Sequence, residues 1–260
     1  MDKRKEYLDN YYTNDCCEDI RLDSNHGKVE FITTTTYIDK YLKKGDRILE
    51  VGAGTGKYSL HYASLGYKVN AIEFVRHNID IFKSHIKDNV DVEVEEGDAT
   101  DLSRFPDNTF DVTLVLGPLY HLYTETDINK AISEAIRVTK KDGIIALAYL
   151  TNDSIMLGYG LLKNHLVDDQ AFDDTFTVKS VPEEIFRAFY IQEFKEIMQK
   201  YNVIYLYNVA TDGMSHHFKD KIDSLSPEEF AMWVKYHLAT CEREDLQGYS
   251  NHMLYLCRKK

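Results

Sequence analysis

The chain predicts an α/β fold built on a mostly parallel sheet with helices on both faces. Two observations carry this. Between residues 45 and 150, short apolar runs alternate with stretches of helical period, which is the pattern of repeated βαβ units. The first run, Ile48-Leu49-Glu50-Val51, empties into Gly52-Ala53-Gly54-Thr55-Gly56, and a helical pattern opens at Lys57. Glycine accepts positive φ and holds no side chain off an approaching ligand. The turn therefore brings bare backbone to the edge where open α/β sheets bind ligands.

The remaining elements follow in order. Val69–Glu73 is a second strand ending in an acid, 23 residues after Glu50, where a carboxylate accepts from a ribose diol. The third, Val92–Glu96, leads into Gly97-Asp98-Ala99. The fourth, Phe110–Leu116, exits through Gly117-Pro118-Leu119-Tyr120-His121. Ile128, Ala131, Ile132, Ala135 and Ile136 form one apolar helical stripe, with Thr124 or Thr126 as its cap. Gly143–Tyr149 is a fifth strand. Residues 151–182 are polar and irregular, with Gly158, Gly160 and the acids Asp168, Asp169, Asp173 and Asp174. Val181-Pro182-Glu183-Glu184 predicts a helix start, the helix running with a break to Gln199. Val203–Val209 is a sixth strand. Ser226-Pro227-Glu228-Glu229 has the form of a capping box, and its helix is expected to bury Phe230, Trp233, Val234, Leu238 and Cys241. His252–Cys257 closes the chain as a last strand.

Composition narrows the function. A length of 260 residues with 43% hydrophobic content supports one large domain. The formal charge of −12 and the lack of a basic cluster argue against a nucleic-acid partner. No apolar run approaches the roughly 18 residues a membrane helix needs, and the charged start Met1–Glu6 does not resemble a secretory signal. A cytoplasmic location is expected. Cys16, Cys17, Cys241 and Cys257 form no C-x-x-C pair, so no metal site is expected and the thiols read as reduced. The adjacent Cys16 and Cys17 are a soft-ligand pair on paper and two thiols near a mobile terminus on the plainer reading.

The set Glu50-x-Gly52-x-Gly54-x-Gly56, Glu73, Gly97-Asp98-Ala99 and Phe110-Asp111…Leu116-Gly117 resembles class I S-adenosylmethionine-dependent methyltransferases over roughly residues 45–150. The resemblance implies a Rossmann-like seven-stranded sheet, mostly parallel with an antiparallel last strand, in one domain spanning 1–260. Its core would be 33–150, 183–209 and 249–260. Segments 1–32, 151–182 and 210–248 would form a cover of helical insertions. In that family a short hairpin joins the last two strands, so residues 210–248 are a departure. The implied cofactor is S-adenosyl-L-methionine. Glu50, Leu116 and Gly117 would lie near its amino-acid end, and Gly52, Ala53, Gly54 and Gly56 along the turn. Glu73 would take the ribose hydroxyls, Phe74 would be a further cofactor contact, and Asp98 and Ala99 would flank the adenine, with Asp98 accepting from the exocyclic amine. Two alternatives stay open. One is a nicotinamide-dependent oxidoreductase, disfavoured because its turn is usually spaced G-x-G-x-x-G. The other is a non-catalytic donor-binding module.

The resemblance implies in-line transfer of a methyl group to an O, N or S atom of a small-molecule acceptor. His121 sits where the methyl group would emerge and is the candidate base, its ordinary pKa lying near neutrality. Relatives that methylate nucleic-acid amines carry Asn/Asp-Pro-Pro-aromatic at this point; Gly117-Pro118-Leu119-Tyr120 lacks the amide or acid. Candidate acceptor contacts are Tyr11, Tyr12, Arg21 and His26 near the start, with Tyr120, Tyr149 and His216 further on. His237 falls on an apolar helix face and reads as a core histidine. The acceptor, the attacked atom and the oligomeric state are left open by the sequence.

Overall fold

A computed structural model describes residues 3–167 and 171–260. Helix α1 (Lys3–Asn10) leads through a π turn (Tyr11–Asp15) and a 3-10 turn (Glu18–Ile20) into α2 (Asn25–Asp39). Ser24 caps α2 by accepting from the Gly27 amide at 3.2 Å. The helix is one continuous element with Val29 and Ile38 fully buried, so a boundary between cover and core at residue 32 falls inside it.

The alternating region then runs β1 (Arg47–Val51), α3 (Lys57–Ser64), β2 (Lys68–Glu73), α4 (Arg76–His85), β3 (Val92–Glu96), β4 (Phe110–Val115), α5 (Glu125–Val138) and β5 (Thr139–Thr151). Thr124 caps α5, accepting from the Asp127 amide, and the predicted stripe Ile128, Ala131, Ile132, Ala135 is buried. After β5 come α6 (Asn152–Ile155), a π-helical turn (Met156–Leu162), β6 (Ala188–Phe189), α7 (Ile191–Gln199) and β7 (Val203–Ala210). The chain ends with α8 (Lys219–Asp223), α9 (Pro227–Thr240), α10 (Glu244–Gln247) and β8 (His252–Lys259).

The strands lie in the order β3-β2-β1-β4-β5-β8-β7, with β6 beside β5. Only β8 runs against its neighbours, pairing antiparallel with both β5 and β7. This is the Rossmann-like class I sheet, enlarged by β6. The central strands are buried on both faces, as covering helices require: Ile48, Leu49, Leu114, Ile145 and Ala146 have no exposed surface.

Two predicted elements need correction. No helix starts at Val181-Pro182. Pro182–Glu184 makes one 3-10 turn, and Ile185 then takes φ 63°, which ends it. The chain pairs briefly as β6, and α7 begins only at Ile191, where Glu193 accepts from the Tyr190 amide. Proline and acids open a 3-10 turn as well as a helix, and here the turn ends at Ile185. Helix α9 does begin at the Ser226 capping box, but Phe230, Trp233, Val234 and Leu238 are only half-buried on it. The buried residues there are His237 and Cys241. Asp168 and Asp169 of the acidic stretch lie outside the described residues. Among the described residues no helix is long and apolar enough to cross a membrane.

Candidate functional site

The carboxyl ends of β1, β2, β3 and β4 open into one cavity of about 840 Å³, mouth included. That lies in the size range of small-molecule sites, roughly 300–1,000 Å³. The glycine turn is its floor, with φ of +73° at Gly52, +54° at Gly54 and +88° at Gly56. The three glycines do different work. A Cβ on Gly52 would stand 2.5 Å from the Pro118 ring, so this glycine lets the exits of β1 and β4 press together. Gly54 faces the cavity, and a Cβ there would meet Glu18 Cγ at 3.3 Å. Gly56 does not line the cavity; a Cβ there would run into the buried Phe82 ring on α4. Its expected place beside a ligand is thus corrected to a packing role.

Glu73 ends β2 and is 5% exposed. One oxygen accepts from the Gly54 amide and the other from the Val75 amide, both at 2.8 Å, with Asn78 Nδ2 at 3.4 Å. Burial pushes its carboxyl above the usual range, and those amides pull it part of the way back. A carboxylate offers about four lone-pair directions. Three are used here, which leaves one for a ligand hydroxyl. Glu50 also lines the cavity but is not a ready-made anion. It is 1% exposed, bonded to the Ser59 hydroxyl, and burial pushes its pKa up to about 8. The adenine corner is occupied too. Arg4 of α1 pairs with Asp98 and lies 4.4 Å over the Phe74 ring, while Lys5 donates to the Phe74 carbonyl at 2.7 Å.

Beyond the glycine turn, Leu116, Gly117, Pro118, Tyr120 and His121 form the next wall. His121 is 8% exposed, and burial pushes its pKa down to about 4. Its Nδ1 lies 2.9 Å from the Ile185 carbonyl and its Nε2 2.8 Å from the Tyr12 hydroxyl. A histidine titrating near neutrality is therefore corrected to a neutral, fully bonded one. The Ile185 carbonyl also accepts from Tyr123 at 2.9 Å. A β-branched residue at φ 63° is held there at a cost of order 1–3 kcal/mol.

Of the acceptor candidates, the structure brings Tyr12, Arg21 and Tyr120 to the cavity. Tyr11 stands one layer back, edge-on to Phe186 with ring centroids 5.5 Å apart. Three candidates lie elsewhere. Tyr149 has no exposed surface, stacks 4.0 Å from Phe194 and donates to Asn208. An inward residue near the end of β5 faces the core here, not the cavity. His26 ties α2 to α8 through Asp223 at 2.8 Å. His216 is exposed on the insertion. Sequence reasoning missed Arg4, Glu18 and Tyr58, which line the cavity from the N-terminal segment and α3. The only signal for Glu18 was its place three residues before Arg21, to which it is paired at 3.2 Å.

Glu30, Asp212 and His252 form a cluster of possible metal ligands that the sequence did not show. It is already satisfied from within. Arg21 donates to both oxygens of Glu30, and Asp212 accepts from Ser250 and His252. Against the effect of burial, the two carboxylates hold the His252 imidazole above its usual range.

Residues 49–147 match the family model described as a methyltransferase domain. The demethylmenaquinone methyltransferase of Paenarthrobacter aurescens (strain TC1) is 31% identical over 126 residues, 48% of this chain and 47% of that protein. The enzyme of the same name from Renibacterium salmoninarum is 38% identical over 105 residues, 40% of this chain and 41% of that protein. The chain thus spans less than half the length of these relatives. Among solved structures, a SAM-dependent methyltransferase of Methanosarcina mazei superposes with TM-score 0.58 at 20% identity, covering 86% of this chain and 96% of that one. One from Thermotoga maritima, described as a possible histamine N-methyltransferase, gives TM-score 0.59 at 16% identity over 99% and 100%. Residues 49–147 carry the methyltransferase-domain match, on the fold of the SAM-dependent methyltransferases. The cofactor of such a domain is S-adenosylmethionine, and the residues of this methyltransferase domain fit it. Gly52 and Gly54 present bare backbone and Glu73 keeps a free lone-pair direction, while the Phe74 ring face and the Asp98 carboxylate line the same cavity with Arg4 held against them.

Proposed function

We propose that this chain transfers the methyl group of S-adenosylmethionine to a small-molecule acceptor. The observation that carries the reading is the continuity of the cavity. The glycine turn, Glu73, Asp98 and the Pro118–His121 turn line one space, over which Arg4, Leu8, Tyr12, Glu18 and Arg21 of the N-terminal segment close. A cavity roofed by its own chain admits a small molecule more readily than a folded one, and a charge of −12 disfavours nucleic acid.

Bound there, the cofactor supplies an activated methyl group. The protein's part is to position, to exclude water and to balance charge. Glu73 and the glycine backbone would hold the ribose and amino-acid parts, and Phe74, Asp98 and Ala99 the adenine. Glu18, beside Gly54, and Arg21, paired with Glu18, match a zwitterionic amino-acid end. Tyr12 and Tyr120 would form the acceptor's side, with His121 bonded to the Tyr12 hydroxyl.

The test is to incubate the protein with a metabolite extract and a donor carrying a heavy methyl group, and to read products by mass spectrometry. A labelled small molecule that appears only with active protein supports the reading. Label confined to protein or nucleic acid would overturn the acceptor class. Binding of NAD with no binding of the methyl donor would overturn the reading as a whole.

A further inference from the structure

The pair Tyr12–His121 fixes which way each hydrogen bond runs. A carbonyl oxygen only accepts, so His121 Nδ1, 2.9 Å from the Ile185 carbonyl, carries the ring proton. Nε2 of the neutral ring is then a bare acceptor, and the Tyr12 hydroxyl, 2.8 Å away, donates to it. Burial pushes the Tyr12 phenol well above its ordinary range, so it keeps its proton. Tyr120 is committed in the same way, donating to the Leu116 carbonyl at 3.0 Å. Both phenols line the cavity, and each has only lone pairs left to offer. The groups packed around the imidazole are Tyr12 and Arg4 from the N-terminal segment, Tyr120 and Tyr123 from its own turn, and Phe186 after the strained Ile185. None of these supplies a carboxylate that would raise His121 into the range of a working base.

We propose that the acceptor is a neutral primary or secondary amine, that Tyr12 orients it by accepting its N–H, and that His121 is a positioning residue for Tyr12 and not a base. This deepens the methyl-transfer reading above and rests on it. An anionic acceptor, thiolate or phenolate, would face phenol lone pairs; a neutral amine brings the hydrogen they lack. With its N–H held at Tyr12, the amine's own lone pair is free to attack. The new N–C bond forms as the methyl carbon's bond to the donor sulfur breaks, and that bonding pair leaves on sulfur. The acceptor leaves its ammonium proton to water before it binds as the free amine, and the methylated product departs as the ammonium, so the transfer itself needs no protein base. An aliphatic amine also suits the Gly117-Pro118 turn, which lacks an amide or acid to hold a weakly nucleophilic ring amine.

Three measurements decide this. In ¹⁵N NMR, His121 should show a protonated Nδ1 and a bare Nε2 that do not titrate between about pH 5.5 and 8.5, and the Nε2 signal should move in Tyr12→Phe. Titration near neutrality would overturn the positioning role. Tyr12→Phe and His121→Ala should each lower kcat/KM about 10–100-fold on the amine found by heavy-methyl labelling. Their affinity for S-adenosylhomocysteine should stay within about twofold. His121→Gln, whose side-chain oxygen can still accept from Tyr12, should keep activity within about fivefold and the same pH profile; a base would lose about 10²–10⁴-fold and a pH limb. An O- or S-methylated product would overturn the amine while leaving the methyl-transfer reading intact. Failure of S-adenosylhomocysteine to bind the wild-type protein would remove both.

Discussion

Gly54 and Gly56 belong to one motif, yet their substitution by alanine should separate binding from stability. Both have positive φ, which costs an alanine about 1–2 kcal/mol. At Gly54 little is added, because the new methyl would meet only the flexible Glu18 side chain at 3.3 Å. That methyl projects into the cavity, however. At Gly56 the methyl would enter the Phe82 ring, which is fully buried between α4 and the sheet. Overpacking of that kind adds about 1–3 kcal/mol. Gly56→Ala should therefore lose about 2–5 kcal/mol and lower Tm by roughly 4–20 °C, whereas Gly54→Ala should fall by roughly 2–8 °C. Calorimetric titration with S-adenosylhomocysteine should show the opposite order. Gly54→Ala should bind at least about tenfold more weakly, and folded Gly56→Ala close to the wild type. If Gly56→Ala were as stable as the wild type, or if it lost affinity as Gly54→Ala does, the division of labour read from the turn would be wrong.

Three further outcomes follow from the same geometry. Glu50 has a folded pKa of about 8 against an ordinary 4.5, so the native state keeps a proton that the unfolded chain releases. Its contribution is fully present below about pH 4.5 and is lost as pH rises through about 8. Glu50→Gln should flatten the fall in Tm across that window, and an unaltered slope would contradict the assignment. Glu73→Ala should weaken S-adenosylhomocysteine binding by about 1–3 kcal/mol and also lower Tm, since the carboxylate ties Gly54 to β2; a fall in affinity with no change in Tm would show that the tie is energetically idle. Arg4→Ala should tighten S-adenosylhomocysteine binding by roughly fivefold, the scale of a partly buried ion pair of about 1 kcal/mol, because the guanidinium occupies Asp98 and the Phe74 face. Weaker binding in that variant would mean that Arg4 closes over the ligand instead of competing with it.

The alternation of strands and helices and the residues that line the glycine-turn side of the cavity were legible because they rest on local rules. Apolar runs, glycines at positive φ and acids at strand ends each act within a few residues of themselves. Gly52, Gly54, Glu73, Phe74, Asp98 and Gly117 all line the cavity for that reason. What the sequence hid depends on contacts between distant segments. That Gly56 serves Phe82 and not the ligand is a matter of how α4 packs on the turn. The state of His121 is set by Ile185, 64 residues later, and by Tyr12, 109 residues earlier. Arg4 reaches Asp98 across 94 residues. Tyr149 and His26 looked available only because their partners, Phe194 with Asn208 and Asp223, are remote in sequence. The helix expected at Val181 failed for a local reason as well: its N-terminal signals were present, but Ile185 turns the chain out after one turn.

The most direct test of the account is calorimetric titration of the full chain with S-adenosylmethionine, S-adenosylhomocysteine and NAD in turn. The cavity described here predicts one binding site for each of the first two, lost together in Gly54→Ala, and no response to NAD. Saturable NAD binding with no heat from either sulfur ligand would contradict it.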